Sequence, residues 1–207
     1  MAVADRYHSG GLMPGRFVYW MNVSLDLRIE HAPGEQGGGS WMRIGEPLHR
    51  EFNRRARALS LMVQGRTTFE IMEKFWPAAR DDTSLPDFLR EYGRIWTSMP
   101  KVLVTRSRTG AEHNTRILRA DDAVGELAEL RARADGDIGV GGATLATALL
   151  RAGLLDELLL FTHPAVLGAG RPLFDGHDEP VELDLLEQDR FDDGVTLHRY
   201  AVRNGRA

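Results

Sequence analysis

Three short stretches of this sequence combine glycine, hydroxyl and guanidinium groups in the manner that phosphate binding requires. Gly65-Arg66-Thr67-Thr68 follows the apolar run Leu61 to Gln64, and Thr105-Arg106-Ser107-Arg108 ends the run Lys101 to Val104. Gly141-Gly142-Ala143-Thr144-Leu145 follows Ile138-Gly139-Val140. Glycine lets a backbone approach a ligand closely. A helix start offers unpaired N–H groups and a positive dipole end, and arginine meets phosphate oxygens bidentately. Together the three junctions suit an elongated ligand with several phosphates. NADPH would lay its pyrophosphate on the paired glycines and one helix start, and its 2′-phosphate on Arg66 or Arg106.

Each stretch has a plainer reading on its own. Thr67 with Glu70 three residues later is the pattern of a capping box, and Arg106 and Arg108 fit a solvated loop. The dinucleotide fingerprint G-x-G-x-x-G is incomplete, because Thr144 stands where its third glycine belongs. No glycine loop here is followed by the Lys-Ser or Lys-Thr of a P-loop.

Asp26 is the carboxylate placed for proton chemistry. It ends a first apolar stretch, beside a glycine-rich loop from His31 to Ser40, and is placed to polarise or protonate a ring nitrogen. A turn aspartate is the plainer alternative. Trp41, Phe75 and Trp76 offer flat faces for a heterocycle, with core packing as the alternative for the last two. The seven histidines show no metal-ligand spacing, and His163 before Pro164 reads as structural. With no cysteine there is no disulfide, thiolate nucleophile or Cys-based zinc site, and no Gly-x-Ser-x-Gly elbow is present.

The elements that must position these groups follow from periodicity. Strands are expected at Arg16 to Leu25, Leu61 to Gly65, Lys101 to Thr105, Thr115 to Leu118, Ile138 to Val140 and Leu155 to Thr162. The first helix runs from Glu46 to Ser60, with Leu48, Phe52, Ala56 and Leu59 inward and Arg54, Arg55 and Arg57 outward. A second helix begins at the Thr67 capping box and stops at Pro77, leaving Ala78 to Pro86 as a surface loop. Helices then follow over Asp87 to Thr97, after a cap at Asp121 or Asp122, and from the paired glycines to Gly153. Val181 to Arg190 and Val195 to Val202 flank Asp192-Asp193-Gly194 as a closing antiparallel hairpin. Strand, helix and strand around Gly141-Gly142 make a right-handed parallel crossover. The expected class is α/β, with one sheet, helices on both faces and an antiparallel C-terminal edge. In an open parallel sheet the three junctions share the carboxyl-end edge, where ligands bind.

The 207 residues suit a single domain over 16–203, preceded by a loose leader over 1–15. A net charge of −4, with arginines interspersed among acids, gives no basic field for nucleic acid. No apolar run is long enough to span a membrane and no signal-like leader opens the chain, so a soluble, cytoplasmic protein is expected.

Four stretches resemble the dihydrofolate reductase-like proteins related to the reductase half of the bacterial riboflavin-biosynthesis deaminase–reductase. They are Val23-Ser24-Leu25-Asp26; Gly65 to Glu70; Lys101 to Ser107; and Gly141-Gly142 through Leu154-Leu155-Asp156-Glu157-Leu158, His163-Pro164 and Leu167 to Phe174. The last is the most specific, and the match runs from about Phe17 to Tyr200. The resemblance implies a three-layer α/β/α fold, NADPH as hydride donor, and a homodimer. It places Gly65 to Thr68, Thr105, Arg106 and Gly141 to Leu145 along the cofactor, and Asp26 at the substrate near the nicotinamide. Trp41 and Trp76 join Asp26 as candidate substrate contacts.

Two positions depart from the family pattern. Leu27 stands where glycine is usual, and Thr67 replaces a second basic residue after Arg66. The zinc deaminase signature needs His-x-Glu and Pro-Cys-x-x-Cys, so the expected activity is reductase only. The leading expectation is an NADPH-dependent reductase of a nitrogen heterocycle or its ribosyl-phosphate derivative. The substrate would be of the 5-amino-6-(5-phosphoribosylamino)uracil type, with a pterin such as dihydrofolate as second choice. A non-catalytic nucleotide-binding protein on the same fold, and a flavin or deazaflavin in the same groove, are the alternatives.

Overall fold

The computed structural model describes residues 15–31, 39–119, 121 and 123–203. Most of the expected leader, most of the glycine-rich loop and the expected cap Asp122 lie outside these residues. Eight strands form one sheet: β1 (Phe17–Ser24), β2 (Leu61–Gly65), β3 (Lys101–Thr105), β4 (Thr115–Arg119), β5 (Ile138–Gly141), β6 (Leu155–His163), β7 (Leu183–Arg190) and β8 (Thr196–Val202). Among the described residues five helices connect them: α1 (Glu46–Ala58), α2 (Arg66–Asp81), α3 (Asp87–Ser98), α4 (Ala123–Arg133) and α5 (Ala143–Arg151). The strand order is β4-β3-β2-β5-β1-β6-β8-β7. The first six strands are parallel, and β8 runs antiparallel to both β6 and β7.

Strand β1 explains the layering. It lies between β5 and β6, and both of its faces are covered, as a central parallel strand requires. Phe17, Tyr19 and Val23 join one apolar cluster with Leu127 of α4 and Leu145, Ala146 and Leu149 of α5. Val18 joins the opposite cluster with Leu48, Phe52 and Ala56 of α1, Phe69 of α2 and Trp96 of α3. Three helices therefore cover one face and two the other, which gives the expected three-layer α/β/α arrangement.

Helix α2 differs from its expectation at both ends. It begins at Arg66 on Gly65, with no side-chain cap. Thr67 is already inside the first turn, and Glu70 pairs with Arg66 at 3.0 Å, so the capping box does not form. At the other end the helix passes through Pro77 to Asp81. A proline removes one ladder hydrogen bond, and packing on α3 offsets that loss. The rings of Trp76 and Tyr92 lie 4.4 Å apart, and Gly93 lets α3 come against the backbone of Trp76 and Arg80. Arg55 is the other correction. It is buried, not outward, and its guanidinium holds Glu51 of its own helix and Glu187 of β7.

Candidate functional site

The register of the sheet gathers the three glycine and arginine junctions. Gln64 lies opposite Gly141, and Gly65 opposite Val104, so the carboxyl ends of β5, β2 and β3 stand side by side. Both α2 and α5 start on a glycine with no side-chain cap hydrogen bond, Gly65 and Gly142 respectively. Side chains thus leave the N–H groups of two adjacent helix starts to a ligand. The space between them depends on missing side chains. A Cβ on Gly141 would sit 3.0 Å from Thr68 Cγ2, and one on Gly142 would sit 3.1 Å from Thr68 Oγ1. Gly142 also has φ +111°, which glycine alone adopts without strain. Thr68 therefore packs directly on the paired glycines, across the groove between the two helices.

The remaining cofactor candidates divide by role. Ala143 and Leu145 belong to the buried face of α5 itself, so their side chains serve the core and only their backbone is offered at the helix start. Thr105 is buried, and its Oγ1 accepts the N–H groups of Ser107 and Arg108, each at 3.3 Å, which shapes the turn after β3. Arg108 is no solvated loop residue. It pairs with Glu73 at 2.7 Å, and its guanidinium lies 5.5 Å from the Phe69 ring, tying this turn to α2. Arg106 is the exposed cation of the pair, with Asp121 at 3.7 Å. Arg66 is about half exposed and faces Glu70.

Thr144 belongs to a network that the sequence pattern did not reveal. Its hydroxyl donates to Asp175 (2.8 Å) and accepts from Arg171 (2.8 Å). Arg171 also grips Asp175, whose N–H donates to Thr147 Oγ1 at 2.9 Å. The Arg171 guanidinium holds the Asp175 carboxyl below its usual range. The run Leu167 to Phe174 carried the resemblance but no assigned role. Its signal was the Arg171–Asp175 spacing after two glycines, a loop folding back on itself against the first turns of α5.

At the opposite side of the edge, Asp26 follows β1. Its carboxylate accepts hydrogen bonds from Ser24 Oγ (2.6 Å), Leu167 N–H (3.0 Å) and Gly168 N–H (2.8 Å). These bonds, the serine's first, lower its pKa to about 2. The side chain is thus an anion at neutral pH. His163, at the end of β6, is fully buried. Its Nδ1 accepts the N–H of Arg43 (2.9 Å) and its Nε2 lies 3.0 Å from Asn22 Oδ1, so the ring is neutral with its proton on Nε2. Burial, followed by the Arg43 charge, lowers its pKa to about 4. Trp41 stands edge-on to this ring at 5.5 Å, so His163 positions the segment that leads out of the glycine-rich loop. Trp76 packs instead among His49, Tyr92 and Phe75, with its Nε1–H directed at Met72 Sδ (3.2 Å). It is partly buried and packs against the apolar cluster of the α1–α3 face.

Among the described residues no group of three or more His, Asp or Glu is placed to hold a metal ion, and no helix is long and apolar enough to cross a membrane.

Comparison with known proteins agrees with this architecture. The chain is 28% identical over 188 residues to YyaP of Bacillus subtilis (strain 168), an uncharacterized protein, covering 90% of this chain and 95% of that one. A solved structure from Shewanella sp. PV-4, described as a candidate riboflavin biosynthesis protein, superposes with a TM-score of 0.67 at 18% identity, covering 90% of this chain and 98% of that one. Dihydrofolate reductase from Enterococcus faecalis, solved in complex with NADP(H) and RAB-propyl, superposes with a TM-score of 0.59 at 15% identity, covering 91% and 97% respectively. At these identities the two solved structures speak for the fold alone: α/β, of the dihydrofolate reductase type. The sequence profile of the RibD C-terminal domain matches residues 17–197, nearly the whole of the described chain. On that match the chain belongs to the RibD C-terminal domain family.

Proposed function

We propose that this protein is an NADPH-dependent reductase of a nitrogen heterocycle or its ribosyl-phosphate derivative. The observation that carries the reading is the pair of uncapped helix starts, α2 and α5, meeting across Gly65, Gly141 and Gly142 with Thr68 between them. A side chain at either glycine of the pair would press on Thr68, so the close approach of the two helix starts needs glycine at both positions. Gly65 to Thr68 and Gly141 to Leu145 hold the pyrophosphate through main-chain N–H groups, with Thr144 fixed by Arg171 and Asp175. Arg106 and Arg66 exchange their carboxylate partners for the 2′-phosphate. Bound NADPH supplies a hydride. The chain's part is to hold donor and acceptor in register and to restrict water at the substrate end, where Asp26 and Trp41 stand.

The matched family and the dihydrofolate reductase-type fold support this reading. The substrate class follows the family, with a ribosylaminopyrimidine first and a pterin second. As a partner we propose a second copy of the chain. Edge strand β7 exposes Leu183, Leu185 and Leu186, an unusual amount of apolar surface for an unpaired edge.

A thermal-shift titration with NADPH and NADH, on wild type and Arg106→Ala, tests the cofactor assignment. At a concentration about 100 times its dissociation constant, NADPH adds roughly 2.7 kcal/mol of stability. The expected result is stabilisation by NADPH, much less by NADH, and loss of the preference in Arg106→Ala. If neither nucleotide moves the melting temperature at millimolar concentration, the reading is wrong.

A further inference from the structure

Two turns far apart in sequence are fastened together at the carboxyl ends of β1 and β6. Leu25 N–H donates to the Ala165 carbonyl (2.7 Å), Ile29 N–H to Arg171 (2.9 Å), and Leu173 N–H to Leu27 (3.0 Å). Arg28 Nη1 adds a bond to the Gly170 carbonyl at 3.2 Å. The chains run so close that a Cβ on Gly170 would overlap the Glu30 carbonyl oxygen.

Asp26 sits at the centre of this seam. Oδ1 receives Ser24 Oγ–H and Leu167 N–H, and Oδ2 receives Gly168 N–H, with Arg28 Nε 4.0 Å from Oδ2. A carboxylate accepts about four hydrogen bonds, and three of them go to the protein itself. Protonating either oxygen would set an O–H beside a backbone N–H or compete with the Ser24 hydroxyl. The group is therefore built to accept hydrogen bonds and to remain charged.

We infer that Asp26 is a positioning residue: its carboxylate fixes the backbone of Leu167 and Gly168 against the turn after β1, and so shapes the substrate end of the groove without itself supplying the proton. The inference rests on the reductase reading for its consequence but not for its geometry, and the two are separable by experiment.

Amide hydrogen exchange on the full, ligand-free chain reads the geometry directly. In Asp26→Asn the amide group turns a donor toward one of the two N–H groups, so exchange at Leu167 or Gly168 should quicken at least tenfold. Ser24→Ala, which removes the hydroxyl's bond to the carboxylate and the one it accepts from Arg28 N–H, should reproduce part of that change. NADPH stabilisation, governed by α2 and α5, should be the same in all three proteins. Unchanged protection at both amides in Asp26→Asn would sink the inference, whether or not NADPH binds.

A second arm uses turnover of the phosphoribosylaminopyrimidine with NADPH. A positioning role predicts a raised KM and a pH profile of kcat with its limbs in place in Asp26→Asn, and a smaller KM change in Ser24→Ala. Loss of a pH limb in Asp26→Asn, with Ser24→Ala indistinguishable from wild type, would make Asp26 the proton donor. If no turnover occurs, the exchange arm alone decides the assignment, and the failure belongs to the substrate proposal.

Discussion

Leu27 sits at φ +56° with half of its surface exposed, an uncommon place for a branched side chain. A left-handed residue other than glycine costs about 1–2 kcal/mol, and little burial repays that here. The backbone explains the need for the conformation. Leu27 N–H donates to the Ser24 carbonyl, and Ser24 N–H in turn to Arg28, a tight turn that aims Asp26 at residues 167–168. Leu27→Gly should therefore stabilise the protein by about 0.5–1 kcal/mol, after the added freedom of the unfolded chain is subtracted. Chemical denaturation would show this as a higher midpoint with an unchanged slope. A lower midpoint would mean that the leucine makes contacts that outweigh its strain.

His163 makes the stability of the fold depend on pH. The folded ring stays neutral down to about 4, against 6.5 for the ordinary imidazole. Between those values the unfolded chain binds a proton that the folded one does not. Stability is thus complete above about pH 6.5 and falls as the pH drops toward 4, by up to about 3 kcal/mol. Denaturation midpoints measured from pH 7 to pH 4 should decline steeply in wild type and less steeply in His163→Gln. Some slope should persist, because burial also lowers the pKa of His49. The Asp26 contribution lies lower still, present above pH 3.8 and lost toward about 2.

At the scale of elements, the parts legible in sequence are those governed by period and punctuation. Strands β2 and β3 fall where apolar runs end in Gly65 and Thr105, and α5 closes before Gly153, whose φ of +66° is the left-handed turn that follows the C-cap Ala152. What periodicity could not show is set by tertiary packing. Pro77 reads locally as a stop, yet α2 continues because its last turns lie on α3. Arg55 looks like one of three outward arginines, yet Glu187, on a strand 132 residues later, draws it inside. The candidate site divides the same way. Gly65 and Gly141-Gly142 were visible as backbone chemistry, whereas the Thr144–Arg171–Asp175 network joins the start of α5 to the loop after β6, which only the fold brings together. Gly93→Ala should damage the α2–α3 contact. Its Cβ would meet the Trp76 carbonyl at 2.7 Å and Arg80 backbone atoms at 2.7–2.8 Å, none of which is a movable side chain. Forcing those helices apart should cost about 2–4 kcal/mol. A loss under 0.5 kcal/mol in a denaturation series would show that α3 can shift freely.

For the whole molecule, the two sheet edges are unlike. Strand β4 carries the exposed Arg116 and Arg119, whereas β7 sets the exposed Leu183, Leu185 and Leu186 among its charged residues. Charged edges resist pairing and apolar ones invite it. A homodimer formed through β7 should dissociate on Leu185→Glu, with the sedimentation coefficient falling to that of a monomer while the helical circular dichroism holds. A wild type that sediments as a monomer throughout the micromolar range would remove the dimer from consideration.

The place of β1 in the sheet has a consequence for how the chain is made. Among the described residues its strand neighbours are β5 and β6, with Phe17 paired to Ile138 on one side and Leu155 on the other. A growing chain thus carries Phe17, Val18 and Tyr19, all destined for burial, with no strand to join until some 120 further residues have left the ribosome. Meanwhile β2 and β3 can pair with each other. Such long-range closure is slow and leaves apolar backbone open to other chains. Arrested nascent chains ending near residue 130 should therefore depend on a chaperone for solubility, and that dependence should fade once β6 is complete.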